Sequence, residues 1–143
     1  MRRYKNLLAL AVAAVVTTSV GYIDKAIAEQ GLNESDLNAA LLEASNNLNQ
    51  NLPRMLDAET RLDTSIVYKR NFIYRHTLVN LSAEEIDEET NDEERERIAN
   101  TVCTTKGMQV FFINNVTVTY SYYGKNGKHI TDIVVTPERC RSS

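Results

Sequence analysis

Val116-Thr117-Val118-Thr119-Tyr120-Ser121-Tyr122-Tyr123-Gly124-Lys125-Asn126-Gly127-Lys128-His129-Ile130-Thr131-Asp132-Ile133-Val134-Val135 is the stretch whose reading decides the fold. Val116, Val118, Tyr120 and Tyr122 alternate with Thr117, Thr119, Ser121 and Tyr123, the period of a strand with one apolar face. Asn126-Gly127 is the dipeptide preferred in a two-residue type I′ turn, where both residues take positive φ. Such a turn sets Lys125 against Lys128, Tyr120 against Ile133 and Val118 against Val135. Both inner pairs are apolar, so register and buried face agree. The other face pairs Thr119 with Val134 and Ser121 with Asp132, a mixed surface. The expected hairpin buries Tyr120 and Tyr122 and leaves Tyr123 outside.

A second hairpin is expected upstream. Thr60 to Tyr68 and Phe72 to Leu81 are rich in β-branched and aromatic residues, with Lys69-Arg70-Asn71 as the turn. Phe72, Tyr74, His76 and Leu78 share one face, and Ile73, Arg75, Thr77 and Val79 the other. The pattern leaves open which is inside. Helical spacing fills the gaps. Ser35 reads as an N-cap, followed by the apolar stripe Leu37, Leu41, Ala44, Leu48 and Leu52 as far as Pro53. Asn38, Glu43, Asn46, Asn49 and Gln50 form the opposite, polar face. Ser82 with Glu85 is a capping box. Nine acids lie between Glu84 and Glu96, and helical spacing returns at Ile98, Val102 and Cys103. A helix is expected from Asp92 to Cys103, then a short buried turn or helix at Met108 to Phe112. Helix, two strands, helix, two strands make an α+β domain. Its expected sheet is four-stranded and antiparallel, made of two hairpins and packed on one face by two or three helices.

The start of the chain speaks to compartment. Met1-Arg2-Arg3-Tyr4-Lys5 is basic, Leu7 to Val16 is an apolar run of signal-peptide length, and Ala26-Ile27-Ala28 offers the small residues a signal peptidase reads. Residues 1–28 are expected to be a signal peptide and residues 29–143 a single domain, periplasmic or secreted. The rival is an uncleaved anchor over Leu7 to Ile23, at the lower length limit for a bilayer and weakened by Thr17, Thr18 and Ser19. Cys103 and Cys140 agree with export: two cysteines in an oxidising compartment read as a disulfide, against the alternative of two buried thiols. The chain carries a net charge of −3. Arg2, Arg3, Lys5 and Lys25 against Asp24 give the leader +3, which leaves −6 on the rest. Phosphate backbones and anionic lipid repel such a domain, so neither nucleic acid nor, after cleavage, a membrane is an expected partner.

A leader is followed by an Asn- and Leu-rich helix, a proline, and Asp57-Ala58-Glu59-Thr60-Arg61-Leu62 leading into a strand. Tyr74 to Asn80 closes the next strand, a helix ends in a cysteine, and a Tyr-rich hairpin precedes a second cysteine. In these features the chain resembles small, uncharacterised secreted proteins of Gram-negative bacteria. In size and layout it is distantly similar to the disulfide-bearing pilotins of type II secretion. The motifs are structural, so the resemblance implies a fold and a compartment and carries no activity.

Chemistry has few candidate residues. Both thiols are committed if the bridge forms, and only His76 and His129 are neutral-pH bases. No Gly-x-Ser-x-Gly elbow or His-x-x-x-His spacing occurs in these 143 residues. The acidic run Asp87 to Glu94 lacks the central glycine of a calcium loop. No catalytic, cofactor or metal residues are therefore expected. The reading is a non-enzymatic periplasmic interaction module, inhibitor- or immunity-like or a secretion accessory, whose partner is another envelope or secreted protein. Its expected surface is either the sheet face, through Tyr123, since tyrosine buries area at interfaces while keeping a polar end, or the acidic helix, through Glu88, Glu89 and Glu93. One alternative is a small-ligand carrier with a pocket between the first helix and the sheet. A less favoured one is a hydrolase in which His76 faces an acid in a cleft.

Overall fold

The structure, a computed structural model, describes residues 32–142; the expected signal peptide and its cleavage site lie outside them. Helix α1 spans Glu34–Asn49, α2 Glu88–Thr104, α3 Gln109–Ile113 and α4 Pro137–Arg141. The strands are β1 Arg54–Met55, β2 Thr60–Tyr68, β3 Asn71–Leu78, β4 Thr117–Gly124 and β5 His129–Val135. Single 3-10 turns occupy Ala83–Glu85 and Lys106–Met108.

The α+β class holds, but the sheet has five strands in the order β1-β2-β3-β4-β5 and is mixed. The expected four-stranded antiparallel sheet fails at its centre, where β3 and β4 run parallel and pair Phe72 with Val118, Tyr74 with Tyr120 and His76 with Tyr122. The connection explains it. The 17 residues of α2 span about 26 Å at 1.5 Å per residue. An eight-residue strand such as β3 covers about the same length. The helix thus carries the chain back to the end where β3 began, and a crossover of this kind joins parallel strands. The fifth strand, β1, follows Pro53 and pairs Arg54 with Leu62 and Met55 with Arg61.

The last hairpin keeps the expected register, Val118 with Val135, Tyr120 with Ile133 and Ser121 with Asp132, yet its turn is not type I′. Gly127 has φ +77°, while Asn126 is not among the positive-φ residues. Gly127 N–H donates to Gly124 O and Gly124 N–H to Lys128 O, each at 2.9 Å. That is a three-residue loop with glycine in the left-handed position. It pairs Tyr123 with His129, and the ladder then shifts so that Tyr122 meets Thr131, leaving Ile130 as an extra residue in β5. The two departures cancel. Gly127→Val is expected to destabilise by about 1–2 kcal/mol for its left-handed backbone, and Asn126→Ala by less. Equal losses in denaturant titrations would contradict this turn. Gly124 matters for a different reason: a Cβ there would lie 2.6 Å from the Ala83 nitrogen.

The open question about β3 is settled by burial. Phe72, Tyr74, His76 and Leu78 face the core with Val118, Tyr120, Tyr122, Ile133 and Val135. Helix α1 lays Leu37, Leu41, Ala44 and Leu48 on this side. Its N-cap is Asn33 rather than Ser35: the Asn33 Oδ1 accepts from Asp36 N–H at 2.9 Å. Helix α2 starts at Glu88 instead of Asp92, because Asp87 accepts from Thr90 N–H at 2.7 Å and the following acids suit the first turn. It buries Ile98, Ala99, Val102 and Cys103. Helix α4, unforeseen, starts at the Thr136 cap with Pro137 in its first turn. Cys103 and Cys140 are joined, with Cα atoms 5.0 Å apart, tying α4 to the end of α2.

Asn49, expected on the polar face of α1, turns to the edge of β2. Its Oδ1 accepts from Ser65 N–H at 2.7 Å and its Nδ2 donates to Ser65 O at 2.9 Å. Ser45 and Ser65 hydroxyls meet beside it at 2.7 Å. The carboxamide stands in for a neighbouring strand beyond the end of β1, covering an edge that would invite another chain. Asn49→Ala is expected to lower stability by roughly 1–3 kcal/mol, the penalty of leaving such groups unmet. An unchanged unfolding midpoint would contradict that role.

Candidate functional site

Side chains with chemical potential collect on β3, β4 and β5, one set on each side of the sheet. On the inner side the parallel register stacks rings of neighbouring strands. Tyr74 and Tyr120 lie 5.3 Å apart with 17° between planes, and His76 and Tyr122 4.8 Å apart with 16°. Phe72 extends the row to Phe111 at 5.4 Å. Neither nitrogen of His76, nor the Tyr120 or Tyr122 hydroxyl, has a hydrogen-bond partner of good geometry among the described residues. Burial pulls the His76 pKa down to about 4. Asp63, the backbone of Ser121 and Tyr74, and Asp57 act in the opposite direction and are outweighed. Burial also raises both tyrosines above their ordinary range. His76 is thus a neutral core ring closed to solutes, not a base in a cleft.

That burial has a pH signature. The unfolded chain binds a proton at His76 near the ordinary pKa of 6.5, while the folded protein resists until about 4. The contribution is fully present above pH 6.5 and is lost as pH falls towards 4. Between pH 7 and 5 it should amount to about 2 kcal/mol. Urea titrations at the two pH values measure it, and His76→Phe should remove this part of the acid sensitivity. The same acid loss in both proteins would contradict the assignment.

The seam between α1 and the sheet, where a carrier would hold its ligand, is filled by buried Leu37, Leu41, Ala44 and Leu48 and bridged by Ser45 and Ser65. A surface depression of about 410 Å³ lies at its end, between Glu34–Leu41 and Lys69-Arg70. Below the start of α2, a slot of about 30 Å³ lies among Leu78, Leu81, Ile86, Tyr122 and Ile130, with room for little more than a water molecule or two. Glu94 lines this slot and is ion-paired with Arg97.

The outer side of the sheet is open, with Ile66, Tyr68 and Val134 exposed by 46%, 63% and 50%. Its polar groups form one connected set. Ser121 Oγ donates to Asp132 Oδ1 at 2.5 Å, and His129 Nε2 meets the same oxygen at 3.0 Å. Tyr123 presents its ring edge-on to His129 at 5.3 Å, and the Arg75 guanidinium sits over the Tyr123 ring at 4.1 Å. Burial alone would raise the Asp132 pKa, but the hydrogen bonds from Ser121 and His129 prevail and lower it. The order is serine, carboxylate, histidine. Activating a serine requires the imidazole in the middle, so this arrangement orders a surface rather than making a nucleophile. Two shallow depressions of about 340 and 360 Å³ meet at Arg75.

The expected surface residues are divided between the two sides. Tyr123 lies on the open face, half-buried beside Arg75. Glu88 and Glu89 occupy the first turn of α2 and Glu93 the next, all exposed in the helical layer behind the sheet. They do not form one patch with Tyr123. Arg75, Ile66 and Ile73 were not read as site residues. The mixed pairs Thr119–Val134 and Ser121–Asp132 did point to this face, but joining β3 to it required the parallel pairing.

No protein-family model matches the sequence, and no curated protein matches it. Among solved structures the fold is similar to a protein of Pseudomonas aeruginosa described as secreted. The TM-score is 0.65 at 17% identity, over 78% of this chain and 99% of that one. It is also similar to EpsS, the pilotin of the Vibrio vulnificus type 2 secretion system, with TM-score 0.61, 13% identity and coverage of 75% and 94%. AspS, the type II secretion pilotin of Vibrio cholerae, gives 0.57, 12%, 75% and 94%. These neighbours match the resemblance read from the layout of the chain, and at such identities the likeness is one of fold.

Proposed function

We propose that the protein is a non-enzymatic accessory of protein secretion, exported by cleavage of residues 1–28, which acts in the periplasm by docking another envelope or secreted protein on its open sheet face. The observation that carries this reading is the fold shared with two secretion pilotins over 75% of the chain. Docking is further supported over ligand carriage by the filled seam under α1, and over hydrolysis by the enclosed His76 and the central Asp132. Among the described residues no helix is long and apolar enough to cross a membrane. Mass spectrometry of the envelope fraction should find a chain beginning at Glu29. Cells lacking the protein should retain proteins that the wild type releases into the medium, and the restored gene should reverse this. An unchanged set of released proteins would contradict the proposal.

A further inference from the structure

We propose that the open sheet face binds an extended protein segment carrying an apolar residue and, two positions away, a carboxylate; Arg75 takes the carboxylate, and Ile66, Ile73 and Val134 take the apolar side chain. This rests on the docking reading above and adds what the partner must present.

Register sets the spacing. Ile66 pairs with Ile73, Ile73 with Thr119, and Thr119 with Val134, which makes one largely apolar row across four strands. Thr64, Arg75, Ser121 and Asp132 form the adjacent row by the same pairings. Rows on one face are two residues apart along each strand, about 7 Å. That is also the spacing of residues i and i+2 on one face of an extended partner.

Charge selects the carboxylate. The acids near Arg75 are already engaged. Asp63 accepts from Arg61 Nε at 2.5 Å and from Thr77 Oγ1 at 2.6 Å, and Asp132 Oδ1 serves Ser121 and His129. Lys125, the other cation bordering the second depression, reaches Glu85 at 3.7 Å and Asn80 O at 3.3 Å. Arg75 is exposed and makes no ion pair among the described residues. Stacking on Tyr123 holds the guanidinium in place while leaving N–H donors for a ligand, and its planar fork matches a carboxylate.

The test uses the isotope-labelled exported protein and three peptides, acetyl-Thr-Leu-Thr-Asp-Thr-amide and its Asn and Lys counterparts. In NMR titrations the Asp peptide should shift resonances of Ile66, Ile73, Arg75 and Val134. It should bind about fivefold more tightly than the Asn peptide, the effect of a well-placed partly exposed ion pair. The Lys peptide should bind most weakly. Arg75→Gln should abolish the preference for Asp, and Arg75→Lys should retain part of it, with core resonances such as Tyr120 unmoved in both. Equal binding of the Asp and Asn peptides, shifts confined to another surface, or no saturable shift at millimolar peptide would overturn the proposal. If that happens while cells still lose secretion without the protein, the secretion-accessory reading stands and the proposed apolar-plus-carboxylate recognition on the sheet face falls.

Discussion

Tyr120→Ala is expected to destabilise the protein by roughly 3–5 kcal/mol, the loss typical of a buried aromatic truncated in a core. Tyr120 is fully buried at the centre of the sheet, between the rings of Tyr74 and His76. Its hydroxyl has no partner among the described residues, so Tyr120→Phe should be nearly neutral, and the contrast isolates packing from hydrogen bonding. Thr119, one residue earlier, faces the open side and bonds to Asn71 at 3.0 Å. Thr119→Ala should cost only about 1 kcal/mol, that of one hydrogen bond. Denaturant unfolding of the three variants measures all of this. A larger loss for Thr119→Ala than for Tyr120→Ala would exchange the two faces of the sheet and make Tyr120 and Tyr122 the docking surface.

Removing the Cys103–Cys140 disulfide should be comparably severe. The bridge spans a sequence separation of 37, and chain entropy for a loop of that length gives about 4 kcal/mol. For a domain of this size the melting temperature should fall by on the order of 10 °C or more. The damage should begin at α4. Five residues are far too few for a helix to persist alone. Apart from the bridge, α4 is held to α2 by Arg139, which pairs with Glu96 at 2.7 Å and reaches Asn100 at 3.3 Å. Calorimetry with and without reductant, alongside a Cys103→Ala/Cys140→Ala variant, tests the prediction. Identical melting temperatures would refute it.

Much of the fold was legible because strand periodicity and turn chemistry are local. The boundaries of β2 were readable to the residue, and the core face of the last hairpin followed from two apolar pairs. The parallel β3–β4 pairing was not found because it depends on the length of α2 relative to the strand, a relation between distant segments. A reading by hairpins ignores it, although a helix between strands is itself the signal of a crossover. The turn at Asn126-Gly127 misled for another reason: its dipeptide preference names a loop of two residues, and the bulge at Ile130 allows one of three with the same register. Asn49 was misplaced because an asparagine on a helix reads as solvated, and nothing near it in sequence announces the Ser65 backbone. The open sheet face was the least legible part: Tyr123 and the mixed pairs of the last hairpin lie on it, but Arg75, Ile66 and Val134 become one surface only when four strands are aligned.

The proposed docking site is the open sheet face and not the acidic start of α2. Site-specific photocrosslinking in living cells tests it most directly, with the reactive residue placed at Val134 or Ile66 on one side and at Glu88 or Glu89 on the other. Val134 and Ile66 should capture a component or cargo of a secretion system, and Glu88 and Glu89 should not. Capture of that component from Glu88 and Glu89 alone would contradict it, as would no capture from the sheet face.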